Sequence, residues 1–379
     1  MKYIKLFVRF TLSLLPKSLV YLLIKKALKK TSKVDFDEIY KNQDSVKKFK
    51  DAIYSYAYIN RNKTGAFLTA YHNKLVKPIR ILQSNLSKDC PIFICAAKNE
   101  LTKIKLQVEY HRKIGVRHFA YVDNMSEDGS IEWLMEQPDV SLFSVDESYN
   151  SNSRNAWRRQ ITDYFGYNKW YLILDADELF IYPGIEKIDI NQYINFLEKK
   201  KINSAFSPMI DMYSKNKLFE GNDRQSGILS EYCFFDTDTY KNEKELIRQC
   251  VTGGPRMRLF GESNTNSKYA LIKLSEEMLV GTHENHPYKL NYKTNGAIAF
   301  LLHYKFLPSD KNKYRENITS GLYGSAFMYQ KYMDTFDQNP DTLLYYDGAE
   351  KLTNSMDLLK ISLIDKKFFK QFLKNAESK

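Results

Sequence analysis

The stretch Lys169-Trp170-Tyr171-Leu172-Ile173-Leu174-Asp175-Ala176-Asp177-Glu178 joins an apolar run to three carboxylates. An uninterrupted aliphatic and aromatic run of this length is typical of a strand buried on both faces of a sheet. Ligands of open α/β sheets bind just beyond the carboxyl ends of such strands. Carboxylates crowded there repel one another unless hydrogen-bond donors or a cation compensate, and a divalent ion that also binds a diphosphate fits this position. The alternative is a solvated turn whose acidic residues cap the next helix.

Strands and amphipathic helices alternate on either side of this stretch. The pattern predicts strands at 92–96, 118–122, 140–145, 170–174 and 204–210, and helices at 101–114, 130–137, 155–165 and 190–200. Strands separated by helices of ten to fifteen residues favour right-handed crossovers and a mainly parallel sheet. Residues 214–250 are polar and without a clear period, which indicates an irregular insertion, and residues 355–375 have the pattern of one or two amphipathic helices.

The positive charge of the chain is concentrated at its beginning. Residues 1–34 hold nine Lys or Arg and no Asp or Glu, so they carry +9 of the net charge of +12. Their apolar runs, split at Pro16, are shorter than the ~20 residues of a transmembrane helix, and a secretory signal peptide fits them poorly. We expect a basic amphipathic segment on an anionic membrane surface. The alternative is a basic helix packed on the body of the protein.

The composition of the remaining residues excludes other classes. The body is nearly balanced in charge, which argues against nucleic acid as a partner. The four cysteines, Cys90, Cys95, Cys233 and Cys250, have neither zinc-ligand spacing nor a disulfide pattern. They are typical of reduced, buried thiols in the cytoplasm.

Polar residues follow three of the predicted strands. They are Asn99 and Glu100, Asp123 and Asn124, and the carboxylates that start at Asp175. Because the carboxyl ends of parallel strands share one edge, these residues are predicted to line a single crevice. Arg158 and its neighbours Arg154 and Arg159 open the preceding helix, and one of them is placed to face phosphates, although such arginines are more often a solvated helix face.

These blocks together resemble glycosyltransferase family 2 with the GT-A fold, in a branch related to family 92. The matching blocks are 98–100, 109–111, 115–119, 123–130, 175–178, Gly253-Gly254-Pro255-Arg256-Met257-Arg258-Leu259-Phe260, His303-Tyr304 and Gly324 with Tyr329. The resemblance implies an α/β fold with a GT-A-type (Rossmann-like) mainly parallel sheet flanked by helices. It covers residues 90–335. We expect a membrane-associating segment at 1–34, a helical lead-in at 35–89 and a helical C-terminal segment at 336–379.

The resemblance implies transfer of a sugar from a nucleotide-sugar donor, with inversion and with Mn²⁺ or Mg²⁺ as cofactor. On this chain Asp177 would bind the metal, with Asp175 on the ribose or on the metal through water. Asn99, Glu100, Asp123 and Asn124 would line the nucleotide pocket. His303 is the first choice for a further metal ligand, with His283 and His286 as competitors.

An inverting displacement also needs a carboxylate that accepts the proton of the acceptor hydroxyl. Asp211, directly after the strand at 204–210, is the candidate for this catalytic base, and Glu178 is the alternative. Arg256 and Arg258 are candidates for binding phosphate or an acidic acceptor, or for structural hydrogen bonding. The expected acceptor is a glycan or a lipid-linked glycan of a bacterial surface polysaccharide, at the inner face of the cell membrane.

Three other functions fit parts of the pattern. A phosphatase of the haloacid dehalogenase type also places Asp-x-Asp after an apolar strand, but that motif ends the first strand of its sheet, and here it ends the fourth. A nucleotidyltransferase shares the sheet type and would release diphosphate. A catalytically inactive carbohydrate-binding protein is the third alternative, and the intact carboxylates Asp175 and Asp177 argue against it.

Overall fold

The computed structural model describes residues 75–82, 90–147, 151–244, 249–262, 264–320 and 326–377, together with Phe67, Ala70, Tyr71 and Asn73. The predicted membrane-associating segment at 1–34 and most of the predicted lead-in therefore lie outside the described residues. Within the described part of the chain, no helix is both long enough and apolar enough to cross a membrane.

Helices and strands alternate as far as residue 211 and then become less regular. The helices are α1 (Leu101–Lys113), α2 (Ser130–Glu136), α3 (Ser151–Phe165), α4 (Ile190–Lys199), α5 (Gln225–Glu231), α6 (Pro255–Phe260), α7 (Asp310–Ser320), α8 (Ala326–Gln338) and α9 (Lys366–Glu377). Short 3-10 helices span Tyr288–Leu290 and Ser355–Lys360. The strands are β1 (Lys77–Arg80), β2 (Ile92–Ala97), β3 (His118–Asp123), β4 (Val140–Ser144), β5 (Lys169–Leu174), β6 (Glu178–Ile181), β7 (Ser204–Asp211), β8 (Phe234–Phe235), β9 (Tyr240–Lys244), β10 (Gln249–Gly253), β11 (Ser267–Leu274), β12 (Leu279–Val280), β13 (Asn285–His286), β14 (Phe300–His303) and β15 (Glu350–Lys351).

Nine of these strands form one sheet, in the order β1-β4-β3-β2-β5-β11-β7-β14-β6. The pairings β3–β4, β2–β3, β2–β5 and β7–β14 are parallel, whereas β1, β11 and β6 pair antiparallel with their neighbours. Six strands therefore run in one direction, and the predicted α/β fold with a mainly parallel sheet is confirmed. Their carboxyl ends share one edge, which we call the C-edge.

Three strands at the C-edge were not predicted, namely β6, β11 and β14, the last of which ends there at His303. β6 starts at Glu178, with only three residues between it and the end of β5, and runs back beside β14. β11 is inserted antiparallel between β5 and β7, so its first residues reach the C-edge. The prediction that 214–250 is irregular was wrong in part, because α5, β8, β9 and the start of β10 lie there.

Both faces of the sheet are covered by apolar packing. Trp157 and Ile161 of α3 pack with Ile94 and Ile173 on one face. On the other face, Phe372 of α9 joins the largest core cluster, where it contacts the rings of Tyr193 and Phe196 of α4 at centroid distances of 5.2 and 5.1 Å. The C-terminal helix is therefore a part of the main core.

Candidate functional site

A possible metal-binding group lies at the C-edge where β5 turns into β6. Asp177, Glu178 and His303 each offer one ligand atom, and these atoms lie within 4.8 Å of one another. The sheet register causes this meeting, since His303 at the end of β14 pairs with Glu178 on one side and with Asp211 of β7 on the other. Two carboxylates and an imidazole form a donor set that suits Mn²⁺, and the carboxylate oxygens also suit Mg²⁺.

His303 connects two carboxylates across this group. Its Nδ1 lies 2.6 Å from Oδ1 of Asp211, and its Nε2 lies 3.3 Å from Oδ2 of Asp177. Burial acts to lower the pKa of His303, but the two carboxylates outweigh burial and raise the pKa above its ordinary value of 6.5. A carboxylate that holds one ring nitrogen of a histidine orients the other nitrogen toward a metal. In this geometry Nε2 of His303 would be the ligand atom for a metal ion.

Asp211 is buried, and both of its carboxylate oxygens have partners. Nε of Arg256 donates to Oδ2 at 2.9 Å, His303 contacts Oδ1, and the backbone amide of Asp211 donates to the hydroxyl of Tyr240 at 3.0 Å. Burial acts to raise the pKa of Asp211, but Arg256 and His303 lower it to about 2. Asp211 thus holds His303 and Arg256 in place, while its predicted role as catalytic base stays a prediction.

Asp175 is surrounded by cations. Nη1 of Arg154 and Nη2 of Arg158 lie 2.7 and 2.6 Å from its Oδ1, and Nζ of Lys268 lies 2.6 Å from its Oδ2. Burial acts to raise the pKa of Asp175, but these three cations hold the pKa well below its usual range. The structure therefore brings Asp177 and His303 together with Glu178 in the group of possible metal ligands, and Asp175 lies beside this group. The oxygens of Asp175 contact these three cations, and its predicted role on the ribose or on the metal stays a prediction.

Two lysines of the site were missed by the sequence analysis. Nζ of Lys268 also lies 2.6 Å from Oε1 of Glu178, and Nζ of Lys305 lies 3.6 Å from Oδ2 of Asp177. Burial acts to raise the pKa of Asp177, but the charges of His303 and Lys305 hold it well below its usual range. The only signals in the sequence were a charge inside the apolar run Ser267–Leu274 and a lysine two residues after His303.

The competing histidines do not join the group. Nδ1 of His283 lies 3.2 Å from the carbonyl oxygen of Ser267, and His286 is buried in β13. Burial lowers the pKa of both imidazoles to about 3. Of the described histidines, only His303 lies in the group of possible metal ligands.

Asn99 and Asp123 organise the loop that follows β3. Oδ1 of Asn99 accepts from the amide of Glu127 at 2.8 Å, and the amide of Asn99 donates to Oγ of Ser126 at 2.9 Å. Oδ2 of Asp123 accepts from the amide of Ser126 at 3.0 Å. Asn99 has a φ of 52°, a left-handed conformation that asparagine tolerates better than most residues. These two predicted nucleotide-pocket residues therefore lie together and shape the same loop.

Asn124 and Glu100 lie at the same edge with different environments. Nδ2 of Asn124 donates to the carbonyl oxygens of Val145 and Glu147 at 3.2 and 2.7 Å, while its buried Oδ1 has no hydrogen-bond partner. A buried acceptor without a donor is costly unless a ligand satisfies it. Glu100 forms ion pairs with Lys103 and Lys313, so it links α1 to α7.

Comparisons with known proteins identify no family for the chain. No protein-family model matches the sequence, and no curated protein matches it. One solved structure that resembles part of the chain is a nucleotidyl transferase from Methanothermobacter thermautotroptrophicus. The match has 13% sequence identity and a TM-score of 0.21, and it covers 34% of this chain and 64% of the transferase. A second is a mannosyltransferase from Pyrobaculum calidifontis in complex with GDP-Man and Mn²⁺. This match has 15% sequence identity and a TM-score of 0.23, and it covers 45% of this chain and 48% of the mannosyltransferase. A third is HddC from Yersinia pseudotuberculosis, with 12% sequence identity and a TM-score of 0.29. This match covers 59% of this chain and 97% of HddC.

The chain spans about half to two thirds of the length of the first two of these proteins. The class of the protein is defined by its own architecture, an α/β fold with a Rossmann-like, mainly parallel sheet and a cluster of charged residues at the carboxyl ends of its strands.

Proposed function

We propose that the protein is a metal-dependent inverting glycosyltransferase, which moves a sugar from a nucleotide-sugar donor to a hydroxyl group of a glycan or glycolipid. The observation that carries this proposal is the convergence of Asp177, Glu178 and His303 at the C-edge. Ligands of open α/β sheets bind at this edge, and the cations beside the group suit an anionic donor. Asp177, Glu178 and His303 would hold Mn²⁺ or Mg²⁺, which would supply positive charge to the leaving diphosphate.

In this reaction an oxygen of the acceptor forms a bond to the anomeric carbon of the donor sugar. The bond from that carbon to the diphosphate breaks, the nucleoside diphosphate leaves, and the proton of the acceptor hydroxyl passes to a carboxylate. Asp211 remains the first candidate for this base, and Glu178 is the alternative if Asp177 and His303 hold the ion without it. Burial raises the pKa of Glu178. The charge of Lys268 acts to lower this pKa, and the charges of Asp175 and Asp177 act to raise it. A carboxylate with a raised pKa is better suited to accept a proton.

We assign the nucleotide to the loops after β2 and β3. The free Oδ1 of Asn124 supports this assignment, because it needs a hydrogen-bond donor that the described residues do not provide. Asn99 and Asp123 would shape the pocket through the loop they hold, and Glu100 would close one side of it with α7. Arg158 would contact the diphosphate, and the carboxylate of Asp175 would hold the guanidinium of Arg158 in position for this contact.

A screen for donor hydrolysis tests the proposal. Nucleotide sugars with each of the common bases are incubated with the full chain, with Mn²⁺ and with EDTA, and the released nucleotide is identified. We expect metal-dependent release of a nucleoside diphosphate, and we expect Asp177→Asn to abolish it. Asp341→Asn is the control and should retain the release, because the carboxylate of Asp341 forms its ion pair with Lys217 at the surface. Release of inorganic diphosphate from a nucleoside triphosphate and a sugar phosphate would show a nucleotidyltransferase instead. No turnover of any donor would favour a binding protein.

We also propose that residues 1–34 attach the protein to the inner face of an anionic membrane. The support is their charge of +9 and their short apolar runs. Flotation of the full chain with vesicles containing phosphatidylglycerol, compared with a chain lacking residues 1–34, tests this. Equal flotation of both chains would contradict the proposal.

A further inference from the structure

Lys268 occupies an unusual position between two carboxylates of the site. Its side chain is buried, and its Nζ lies 2.6 Å from both Oδ2 of Asp175 and Oε1 of Glu178. Lys268 reaches these residues because β11 runs opposite to β5 and starts at the C-edge. Glu178 is also a member of the possible metal-binding group. A divalent ion bound to this group would therefore compete with Lys268 for the carboxylate of Glu178.

We propose that Lys268 is an internal counter-ion that couples the metal to the nucleotide, so that a divalent ion binds tightly only together with a nucleoside diphosphate. When both bind, Lys268 leaves Glu178 to the ion and contacts the diphosphate. This inference rests on the proposed function, because it concerns how the same site takes its two ligands.

The balance of charge in the site supports the coupling. Five cations and four carboxylates form the ion pairs described at the site. The group therefore carries one surplus positive charge when the imidazole of His303 is neutral and two when it is protonated. The cations are Arg154, Arg158, Arg256, Lys268 and Lys305, and the carboxylates are Asp175, Asp177, Glu178 and Asp211. A divalent ion alone would add to a surplus that is already positive, in surroundings that screen charge poorly. A diphosphate that arrives with the ion offsets its charge.

Lys268 is the member of the group that is best suited to move. Asp175 keeps two arginines on its Oδ1 when Lys268 leaves its Oδ2, so that carboxylate is not left unpaired. Lysine is a point charge on a flexible stem, whereas the planar fork of arginine is held by its geometry. The loss of one ion pair at Glu178 is compensated by the metal that takes its place.

Titrations of the full chain with MnCl₂ test this coupling. The affinity for Mn²⁺ is measured by electron paramagnetic resonance of the free ion, with no nucleotide, with GDP and with UDP. For the unsubstituted protein we expect at least about tenfold tighter Mn²⁺ binding with the preferred nucleotide, a coupling of about 1.4 kcal/mol, and by reciprocity the same gain for the nucleotide in the presence of Mn²⁺.

Lys268→Met is expected to change both affinities in opposite directions. In this variant Mn²⁺ alone should bind more tightly, because Lys268 no longer competes for Glu178 and one positive charge is gone. The nucleotide alone should bind about tenfold more weakly. The coupling between Mn²⁺ and the nucleotide should therefore fall below about threefold. Lys273→Met is the matched control, because Lys273 lies on the same strand but forms its ion pair with Glu198 at the surface. That control should retain the coupling. Lys268→Gln, which keeps a hydrogen-bond donor, gives the same test if the methionine variant does not fold.

Two results would overturn the inference. One is that the unsubstituted protein binds Mn²⁺ equally with and without the nucleotide that it binds. The other is that both folded variants at position 268 retain full coupling. If the protein binds neither GDP nor UDP nor any other nucleoside diphosphate, the proposed function itself fails, which is a different outcome from nucleotide binding without coupling.

Discussion

His303 and Asp211 are register partners at the ends of two neighbouring parallel strands, and Nδ1 of His303 lies 2.6 Å from Oδ1 of Asp211. The contact directs Nε2 of His303 toward Asp177. The backbone pairing of β14 with β7 therefore determines the direction of a side chain in the possible metal-binding group. An orienting carboxylate of this kind raises the basicity of the ligating histidine.

Asp211→Asn should weaken metal binding. The asparagine keeps the shape of the side chain but loses the charge that fixes the orientation of His303, and we expect about a 10- to 100-fold loss of Mn²⁺ affinity in the presence of nucleotide. Because Arg256 would be left buried without its charged partner, the free energy of unfolding should also fall by about 3 kcal/mol. Mn²⁺ titration and urea unfolding measure the two effects. A variant with unchanged Mn²⁺ affinity and lost turnover would instead support Asp211 as the catalytic base.

The pH dependence of metal affinity should follow His303. Below the raised pKa of His303 both ring nitrogens carry protons, so Nε2 cannot bind a metal, and the Mn²⁺ affinity should decrease as the pH is lowered through that pKa. Mn²⁺ titrations between about pH 6 and 9 check this. His303→Gln should bind Mn²⁺ weakly at every pH, and an unchanged affinity of the original protein across the range would contradict the assignment.

The same raised pKa predicts an effect on stability without metal. The protonated His303 is favoured in the folded protein, so its contribution is fully present below the unfolded pKa of about 6.5 and is lost as the pH rises through the folded pKa. Urea unfolding in EDTA should therefore show stability decreasing above about pH 6.5. The decrease should be smaller in His303→Gln. If the free energy of unfolding decreases equally with pH in both proteins, groups other than His303 cause the decrease.

The C-terminal helix should be essential to the stability of the body. Phe372 is buried among aromatic rings of α4 and α9, and Phe372→Ala should reduce the free energy of unfolding by about 3–5 kcal/mol because it removes a large buried ring. Phe327→Ala is the matched control, since this phenylalanine is 63% exposed on α8 and its loss should cost less than about 0.5 kcal/mol. Similar losses for both variants would show that α9 does not anchor the core.

The regular half of the fold was accessible from the sequence because its signals are local. The buried run that ends at Leu174 and the helical spacing from Leu101 to Lys113 each lie within one short window. The polar residues at the ends of β2, β3 and β5 then followed from the geometry of parallel sheets. Asp177 lies at the edge where this geometry placed it, whereas His303 at the end of β14 was chosen through the family resemblance and not from the strand pattern.

The remaining part of the site depends on pairings that no local pattern reveals. β11 lies between β5 and β7, although about ninety residues separate it from β5 in the chain, and only this insertion brings Lys268 to Asp175. β6 starts immediately after the carboxylates and turns Glu178 into the group. A buried ion pair gives no periodic signal, so the sequence did not predict that the oxygens of Asp175 contact Arg154, Arg158 and Lys268.

The position of a bound metal ion would show directly whether Asp177 and His303 form the metal site. Crystals grown with Mn²⁺ and the nucleoside diphosphate that binds best would be measured at the manganese absorption edge. We expect an anomalous peak within about 2.0–2.6 Å of a carboxylate oxygen of Asp177 and of Nε2 of His303. A peak elsewhere, or a bound diphosphate held at the C-edge by lysines and arginines with no metal beside Asp177, would contradict this expectation.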